Sequence, residues 1–444
     1  MTNSTHPHNE DRYRVQRYTL IILDVLTLLS ETIASKTNDT VNCVGYKEAS
    51  KERVQDFTRN RGMAFDEVVM FMLTRLKNCS TATALRRFFN AVWESDAITQ
   101  QAFSLSRYKI KVSAFIQLFE LTVDVMLAGC HKKWHGYRVL AVDGTKIALP
   151  DDAALLAYYG GVGRNADSPT AQGSLLYDVL NDIVVDAKIA PLTTDERTLA
   201  LQHIKETKTR LANEKKLIIG DRGYVSFSLL EELHAENIHY VFRVKRKFHN
   251  DIDAQKKSDG YVWLTQGNKR IRVRVIKFML DSGEEEILVT SITDRRMGVR
   301  AFKKLYFMRW PVETTINIAK SKLNIECFTA LKQEGIEQDF YATMYLVNVV
   351  AAVKIDAQEA IDAARESTGN KHNYKANTNE LIGILKDYLI EALIEEDDKL
   401  RTAIIRDIVS KVRQHVIPIR EGRLVSRNDH PRDVKHHHNR KSNC

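Results

Sequence analysis

The sequence predicts an α/β fold in which an all-helical N-terminal region precedes an α/β core, and a β-rich insertion interrupts that core. Residues 18–127 show helical periodicity and contain almost no Pro or Gly, which favours helices. From Tyr137 onward, short aliphatic runs typical of strands alternate with helical segments. Residues 239–293 are rich in strand patterns, which predicts the insertion.

The composition is that of a globular protein with a basic charge balance. The chain has 444 residues, which is enough for about three domains. Its content of 44% hydrophobic and 28% charged residues is ordinary for a folded, soluble chain. The formal net charge of +9 favours a polyanionic partner, with nucleic acid ahead of a membrane surface.

The cysteines and the apolar segments indicate the cellular compartment. Five cysteines without any CxxC spacing argue against a disulfide framework and against a structural zinc site. The N-terminus lacks a signal-peptide profile, and the apolar runs at 20–29 and 340–353 are shorter than a bilayer span requires. We therefore expect a cytoplasmic protein with no membrane partner, in which both runs are buried helices.

The first predicted domain, residues 1–130, is expected to be helical and to bind DNA. Residues 1–15 are expected to be disordered. Arg86 and Arg87 lie on one predicted helix, and residues 101–111 form a basic segment, so one side of the domain is cationic. Such a side suits duplex DNA, although helical modules of this kind also serve only to pack against a core.

The predicted core comprises residues 131–237 and 298–360, and two of its strands end at an aspartate, Asp143 or Asp221. Its elements are a strand over 137–142, a hairpin of strands over 174–179 and 184–190, a helix over 193–213, a strand over 217–219 and a helix over 226–236. This order, with acidic residues at strand ends, favours an α/β core of ribonuclease-H type.

The insertion, residues 238–297, contains a strand in which arginines alternate with aliphatic residues. Arg270, Arg272 and Arg274 therefore share one face of the strand over 269–277. One interpretation is a charged outer edge that discourages aggregation. The other, which the basic context favours, is a surface that follows a phosphate backbone. Further strands are predicted over 238–247 and 286–292.

The stretch Tyr306–Lys320 places polar side chains at helical spacing. In one continuous helix, its Tyr, Arg, Glu and Lys side chains would share a face about 60° wide. These residues are Tyr306, Arg309, Glu313 and Lys320. Pro311 either kinks this helix or lies in the first turn of a new helix that begins near Trp310. Taken alone, the pattern is also that of a solvated charged stripe.

Asp143, Asp221 and Glu313 form the predicted acidic site. Phosphodiester transfer needs stabilised charge on the phosphate and an activated water or hydroxyl, and two hard cations about 3.5–4 Å apart supply both. Mg²⁺ prefers oxygen ligands and retains water, so two or three carboxylates suffice. Turn or capping duty is the alternative for each aspartate. It also suffices for four rival carboxylates, Asp178, Asp182, Asp186 and Asp195.

The C-terminal region, residues 361–444, is expected to be helical and to end in a basic tail. A helix is predicted over 380–400. Residues 410–444 hold nine Lys or Arg against three Asp or Glu. The histidines at 436–438 are interpreted as solvated residues, because partner ligands at metal-site spacing are missing from the sequence around them.

Three motifs together resemble those of a known family. Tyr306-x2-Arg309-x3-Glu313-x6-Lys320 resembles the YREK signature of the insertion-sequence-4 family of bacterial DDE transposases. The segments VDGTKIALP around Asp143 and LIIGDRGYVS around Asp221 are similar to the first and second acidic motifs of that family. The resemblance covers about residues 137–325 and adds little elsewhere.

The resemblance implies a ribonuclease-H-like core with a β-rich insertion and a defined chemistry. Mg²⁺, with Mn²⁺ as an alternative, would support cleavage at the inverted-repeat ends of the element and joining of the 3′ ends to target DNA. The implied metal ligands are Asp143, Asp221 and Glu313, and the implied contacts to the transposon end are Tyr306, Arg309 and Lys320. Trp263 is a candidate for an insertion aromatic that stabilises a displaced base in a hairpin intermediate. A homodimeric synaptic complex and a nucleoid-associated, cytoplasmic location are also implied.

Two other functions remain open at this point. A metal-dependent DNA nuclease on the same core would cut without joining strands. A DNA-binding regulator derived from a transposase would retain the fold without the chemistry, although three intact acidic positions weigh against it.

Overall fold

The computed structural model describes residues 27–419 except 59–61, 76, 78, 93–97, 281 and 369–372. The segment predicted to be disordered, 1–15, and the histidines at 436–438 lie outside the described residues, as does the basic tail from residue 420 onward. The described part begins with six helices: α1 (Leu29–Asn42), α2 (Val44–Ser50), α3 (Phe65–Thr74), α4 (Thr81–Val92), α5 (Gln100–Arg107) and α6 (Val112–Gly129). The predicted all-helical N-terminal region is confirmed.

A nine-stranded mixed sheet forms the centre of the molecule. Its strands are β1 (Arg138–Ala148), β2 (Gly161–Val162), β3 (Ser168–Asp178), β4 (Ile183–Pro191), β5 (Lys216–Gly220), β6 (His239–Arg243), β7 (Asp259–Gln266), β8 (Lys269–Met279) and β9 (Glu285–Thr290). They lie in the order β2-β3-β1-β5-β6-β9-β8-β7, and β4 pairs with β3. Strands β1, β5 and β6 are parallel, and the other pairings are antiparallel. The predicted mixed α/β fold is confirmed.

Helices and a small two-stranded sheet complete the described fold. The helices are α7 (Ala153–Tyr159), α8 (Glu196–Glu206), α9 (Phe227–Ala235), α10 (Asn250–Ala254), α11 (Val299–Phe307), α12 (Trp310–Ser321), α13 (Gln333–Thr368), α14 (Thr378–Ile394) and α15 (Asp398–Gln414). Strands β10 (Tyr374–Ala376) and β11 (Val416–Pro418) pair with each other. The helix predicted over 380–400 is in fact two helices, α14 and α15. Asp397, one of four consecutive acidic residues at 395–398, caps the start of α15.

The long helix α13 joins the N-terminal helices to the sheet. Asn348 on α13 accepts a hydrogen bond from the backbone N–H of Val184 on β4 at 2.9 Å. Its amide nitrogen donates to the Val184 carbonyl at 3.1 Å and to the Thr122 hydroxyl on α6 at 2.9 Å. One buried side chain on α13 therefore satisfies polar groups on two other elements at once.

Two of the described helices are long and apolar enough to cross a membrane by length and composition alone. They are Val112–Gly129, whose 18-residue apolar window is 44% buried inside the protein, and Gln333–Ala364 of α13, whose 18-residue apolar window is 78% buried. Because α6 and α13 pack against each other, the same features are those of core helices.

The strand predicted to end at Asp143 is longer than predicted. Its parallel pairing with β5 stops at Ala141, but its antiparallel pairing with β3 continues to Ala148. The prediction that Asp143 terminates a strand is therefore wrong: it lies inside β1, and the partner strand β3 sets the end of the element.

The β-rich segment continues the central sheet. Strand β6 pairs in parallel with β5, and β9 pairs with β6 in the antiparallel direction. Strand β9 is the partner of β8, as predicted, and β7 adds a further strand beyond β8. The arginine-bearing hairpin β7–β8 therefore stands at the edge of the same sheet that carries the acidic residues.

Candidate active site

The sheet register brings the two aspartates to the same place. Ala141 on β1 lies opposite Ile219 on β5 in a parallel pair. Asp143 and Asp221 each follow two residues after this pair, and residues two apart on a strand point to the same face. The two carboxylates therefore leave neighbouring strands at the same level and on the same side of the sheet.

The segment that contains Tyr306, Arg309 and Glu313 is divided between two helices. Helix α11 ends at Phe307, and α12 begins at Trp310 with Pro311 in its first turn. The alternative in which Pro311 starts a new helix is confirmed, because proline lacks an N–H and fits a first turn. The prediction that Tyr306 shares one continuous helical face with Glu313 is wrong, since the two residues belong to different helices.

Arg309 connects two of the acidic residues. Its Nη1 lies 3.3 Å from Oδ2 of Asp143, and its Nη2 lies 2.6 Å from Oε1 of Glu313. The arginine side chain is 10% exposed. Among the described residues, its Nε is buried and has no hydrogen-bond partner. The guanidinium therefore uses two of its three nitrogens on the acidic residues and leaves the third unsatisfied.

Asp221, the third acidic residue, contacts helix α11. The hydroxyl of Tyr306 on α11 donates to Oδ1 of Asp221 at 3.3 Å. Arg243 on β6 lies farther away, with Nη1 at 3.9 Å from the same oxygen, and its Nε pairs with Glu286. The short α11–α12 segment thus contacts each of the three acidic residues through Tyr306 or Arg309.

Lys320 lies at the far end of α12, beside the second half of β1. Its Nζ donates to the carbonyl of Lys146 and lies 3.2 Å from Oε1 of Glu326. The same Glu326 oxygen accepts the backbone N–H of Ala148 at 3.1 Å. Lys320 therefore extends the site along β1 and away from the carboxylates.

Burial is the main influence on the protonation of Asp143. It raises the pKa of this carboxyl to about 6, while Arg309 and the backbone N–H of Gly144 act in the opposite direction. The negative charges of Glu313 and Glu196 raise the pKa further. Burial also raises the pKa of the Tyr306 phenol, which stays protonated and acts as a donor.

The donor chemistry of the site suits a hard divalent cation. Carboxylate oxygens from Asp143, Asp221 and Glu313 are the ligands that Mg²⁺ prefers. Within the part of the chain that the structure describes, however, no three Asp, Glu, His or Cys residues lie close enough together to hold a metal ion. The group that bridges Asp143 and Glu313 is instead the Arg309 guanidinium.

Residues 134–349 match the family model for the transposase DDE domain. This stretch is just under half of the chain, and it contains every residue of the site described above. The match supports the transposase reading, while the finer assignment to the insertion-sequence-4 family stays a prediction.

The chain is similar to the structure titled "Cryo-EM structure of piggyBac transposase synaptic complex with hairpin DNA", with 12% sequence identity and a TM-score of 0.45 over 87% of this chain and 82% of that chain. No curated protein matches this sequence.

Two residues beside Gly144 were missed by the sequence analysis. A Cβ atom built on Gly144 would lie 2.9 Å from Oε1 of Glu196 and 3.1 Å from the hydroxyl of Tyr224. Among the described residues, that buried hydroxyl has no hydrogen-bond partner. Glu196 was interpreted only as part of a helix start, and nothing in the sequence pattern signals that it reaches Asp143 from α8.

The three arginines on β8 differ in their exposure to solvent. Arg270 and Arg272 are exposed, and their guanidinium carbons lie 4.6 Å and 4.5 Å from the ring centroids of Trp263 and Tyr261. Trp263 is itself 46% exposed. These residues form an open cationic and aromatic surface on the β7–β8 hairpin.

Arg274 does not belong to this surface, so the prediction of three arginines on one exposed face is wrong. It is 1% exposed and forms a two-pronged pair with Asp259, at 2.7 Å and 2.6 Å. It also donates to the carbonyls of Asp294 and Met297 at 2.9 Å. The physical reason is that residues 292–297 cover this end of β8 and bring backbone acceptors to the arginine.

Proposed function

We propose that this protein is a DDE transposase that cleaves DNA at the ends of its own element and joins the 3′ ends to target DNA. The observation that carries the proposal is that two residues of one short segment, Tyr306 and Arg309, contact all three acidic residues. Tyr306 binds Asp221, and Arg309 binds both Asp143 and Glu313. These contacts lie inside the stretch that matches the transposase DDE domain.

The proposed roles follow from the chemistry of each group. Asp143, Asp221 and Glu313 would be the ligands of Mg²⁺, with Mn²⁺ as an alternative. When bound, the cation supplies charge stabilisation at the phosphate and an activated water or hydroxyl. The acidic residues lie beside a largely buried arginine, where electrostatic interactions are stronger than in water.

The DNA contacts form a second part of the proposal. Tyr306, Arg309 and Lys320 would bind backbone phosphates at the transposon end. Arg270 and Arg272 would bind phosphates along the β7–β8 hairpin, where both are exposed. Trp263 offers a flat apolar face to an unstacked base, and its exposure at the edge of the sheet supports this role.

The partners and the location are also proposals. The DNA partners are the terminal inverted repeats and the target, held by a homodimer in a synaptic complex. We place the protein in the bacterial cytoplasm at the nucleoid and without a membrane partner. The net charge of +9 and the four described cysteines, which form no disulfide, support this placement.

A joining assay tests the function. The protein is incubated with Mg²⁺, a duplex that carries the inverted repeat flanking its own gene, and a target plasmid. A duplex of the same length with a scrambled repeat is the control. Joined products that need the native repeat are the expected result. Repeat-dependent cuts without joining would favour the nuclease, and binding without cuts would favour the regulator.

A further inference from the structure

In the DNA-free protein, a resident arginine balances part of the negative charge of the acidic site. Arg309 forms ion pairs with Asp143 at 3.3 Å and with Glu313 at 2.6 Å, and we call this pair of contacts the Arg309 bridge. Two of the three proposed metal ligands therefore share one resident positive charge.

The bridge leaves its arginine incompletely satisfied. Within the described structure, Nε of Arg309 is buried and lacks a hydrogen-bond partner. A buried donor without a partner costs free energy. A phosphate group offers several oxygens to the planar fork of a guanidinium, and it binds arginine in a two-pronged manner. A phosphate could therefore satisfy donors that the bridge leaves open.

The two tasks of Arg309 compete. The open Nε and the Nη2 that contacts Glu313 form one edge of the guanidinium, so a phosphate held by that edge in a two-pronged manner competes with Glu313 for Nη2. Departure of the guanidinium removes the positive charge that both Asp143 and Glu313 contact, which is unfavourable for carboxylates in a partly buried site. A divalent cation balances these charges, because its two positive charges meet two negative ones.

We propose that the Arg309 bridge couples the binding of the transposon end to the entry of the divalent cation. In the DNA-free protein, the bridge occupies Asp143 and Glu313 and disfavours the cation. A phosphate of the transposon end takes the guanidinium and frees the carboxylates. This coupling rests on the proposed function for its DNA partner, and it restricts phosphodiester cleavage to DNA that is already seated at the site.

Thermodynamic linkage makes the coupling reciprocal. If the transposon end raises the affinity for the cation by some factor, the cation must raise the affinity for the end by the same factor. Couplings of this kind are typically about 5- to 150-fold. A variant without the bridge should bind the cation well even without DNA, and it should lose most of the mutual enhancement.

The experiment measures Mn²⁺ binding to the full-length protein by electron paramagnetic resonance, without DNA. We compare the wild type with Arg309→Ala and Arg309→Gln. The matched control is Arg197→Ala, since this arginine lies near the site but donates to the carbonyl of Gly223. Both Arg309 variants should bind Mn²⁺ about tenfold more tightly than the wild type, whereas Arg197→Ala should stay within about twofold.

A second arm adds DNA without allowing turnover. The probe is a duplex that ends at the 3′ terminus of the repeat and so has no bond left to cleave. Mn²⁺ should strengthen its binding to the wild type about fivefold or more at constant ionic strength, and it should have little effect on Arg309→Ala. The thermal unfolding temperature of each variant checks that the fold is retained, and the glutamine variant keeps a polar side chain in case the alanine variant is unstable.

The outcomes separate this inference from the proposed function. Equal Mn²⁺ affinities of the wild type and both Arg309 variants without DNA would overturn the coupling, even if the protein joins DNA ends. A protein that shows the expected tighter Mn²⁺ binding in its Arg309 variants but never cuts or joins DNA would keep the bridge and lose the transposase function.

Discussion

The buried surroundings of Asp143 disfavour the ionised carboxylate that its proposed role as a metal ligand needs. Burial raises its pKa to about 6, and the guanidinium of Arg309 only partly offsets that effect. A partner with a larger positive charge would stabilise this carboxylate further. The folded protein therefore carries a local cost at neutral pH, as functional sites often do.

The stability of the DNA-free protein should show this cost. Because the pKa of Asp143 is raised in the folded state, the native protein binds its proton more tightly than the unfolded chain, and this contribution is lost as pH rises through about 6. Asp143→Asn should therefore be more stable than the wild type by about 1–3 kcal/mol at pH 7, and the difference should vanish near pH 4. Urea unfolding at both pH values measures it.

The exposed residue Asp151, which follows the same strand, supplies the control for that measurement. Asp151→Asn should leave stability unchanged at both pH values. A stability difference for Asp143→Asn that is the same at pH 4 and pH 7 would mean that burial does not raise the pKa of this carboxyl in the folded protein.

Glu196 gives a second prediction at the residue scale. Its negative charge is one of the causes that raise the pKa of Asp143. Glu196→Gln should therefore lower that pKa, which the carboxyl ¹³C signal of Asp143 reports in a pH titration. Asp195→Asn removes the same charge from the adjacent, exposed position and should cause a smaller change. An unchanged Asp143 titration in Glu196→Gln would remove Glu196 from the site.

Single elements show what the sequence could predict and what it could not. The strands that lead to the two aspartates could be predicted, because an aliphatic run followed by Asp-Gly or Gly-Asp is a local signal. The length of β1 could not, since antiparallel pairing with β3 decides where it ends. The break between α11 and α12 was one of two readings of Pro311, and local sequence does not choose between a kink and a new helix.

The β7–β8 hairpin separates a binding role from a structural one. Arg272→Ala should weaken DNA binding and reduce the slope of log K against log salt by about 0.9, because an exposed arginine that neutralises one phosphate releases about one counterion. Its unfolding free energy should stay near that of the wild type. Filter binding at several salt concentrations, together with urea unfolding, measures both quantities.

Arg274→Ala is the counterpart on the same strand. It removes a buried partner of Asp259 and several backbone contacts, so it should lower the free energy of unfolding by about 2 kcal/mol. An unchanged salt slope in Arg272→Ala would exclude this arginine as a phosphate contact. A fully stable Arg274→Ala protein would contradict the structural role.

Helix α13 contacts two of the N-terminal helices through the buried carboxylate of Asp339. Asp339 pairs with Arg75 and Arg107, each at 2.9 Å, and all three side chains are at most 3% exposed. Burial alone would raise the pKa of Asp339, but Arg107 and Arg75 hold it well below its usual range. The pair of arginines is left without a buried counter-charge if this carboxylate is removed.

Asp339→Asn should therefore lower the free energy of unfolding by about 3–5 kcal/mol. The control is Asp362→Asn, a change of the same type at an exposed position on the same helix, which should have an effect below about 0.5 kcal/mol. Equal effects of the two substitutions in urea unfolding would show that the buried cluster does not hold the helices together.

At the scale of the whole molecule, one sheet organises the protein. Its parallel strands β1 and β5 set the two aspartates side by side, and its far edge carries the exposed Arg270, Arg272 and Trp263. Helices α11 and α12 return after the β-rich segment and bring Glu313 to the aspartates. The acidic site therefore depends on long-range topology, which sequence motifs could indicate but local patterns could not place.

The three acidic residues should act as one unit. The most direct measurement compares Asp143→Asn, Asp221→Asn and Glu313→Gln with the wild type in cleavage, joining and binding of the native transposon end. The exposed pair partner of Lys188, Glu206, provides the control variant Glu206→Gln. Each of the three substitutions should reduce cleavage by about 10³-fold or more, because each removes several kcal/mol of transition-state stabilisation, while end binding persists. Near-normal cleavage by any one of the three variants would contradict the account.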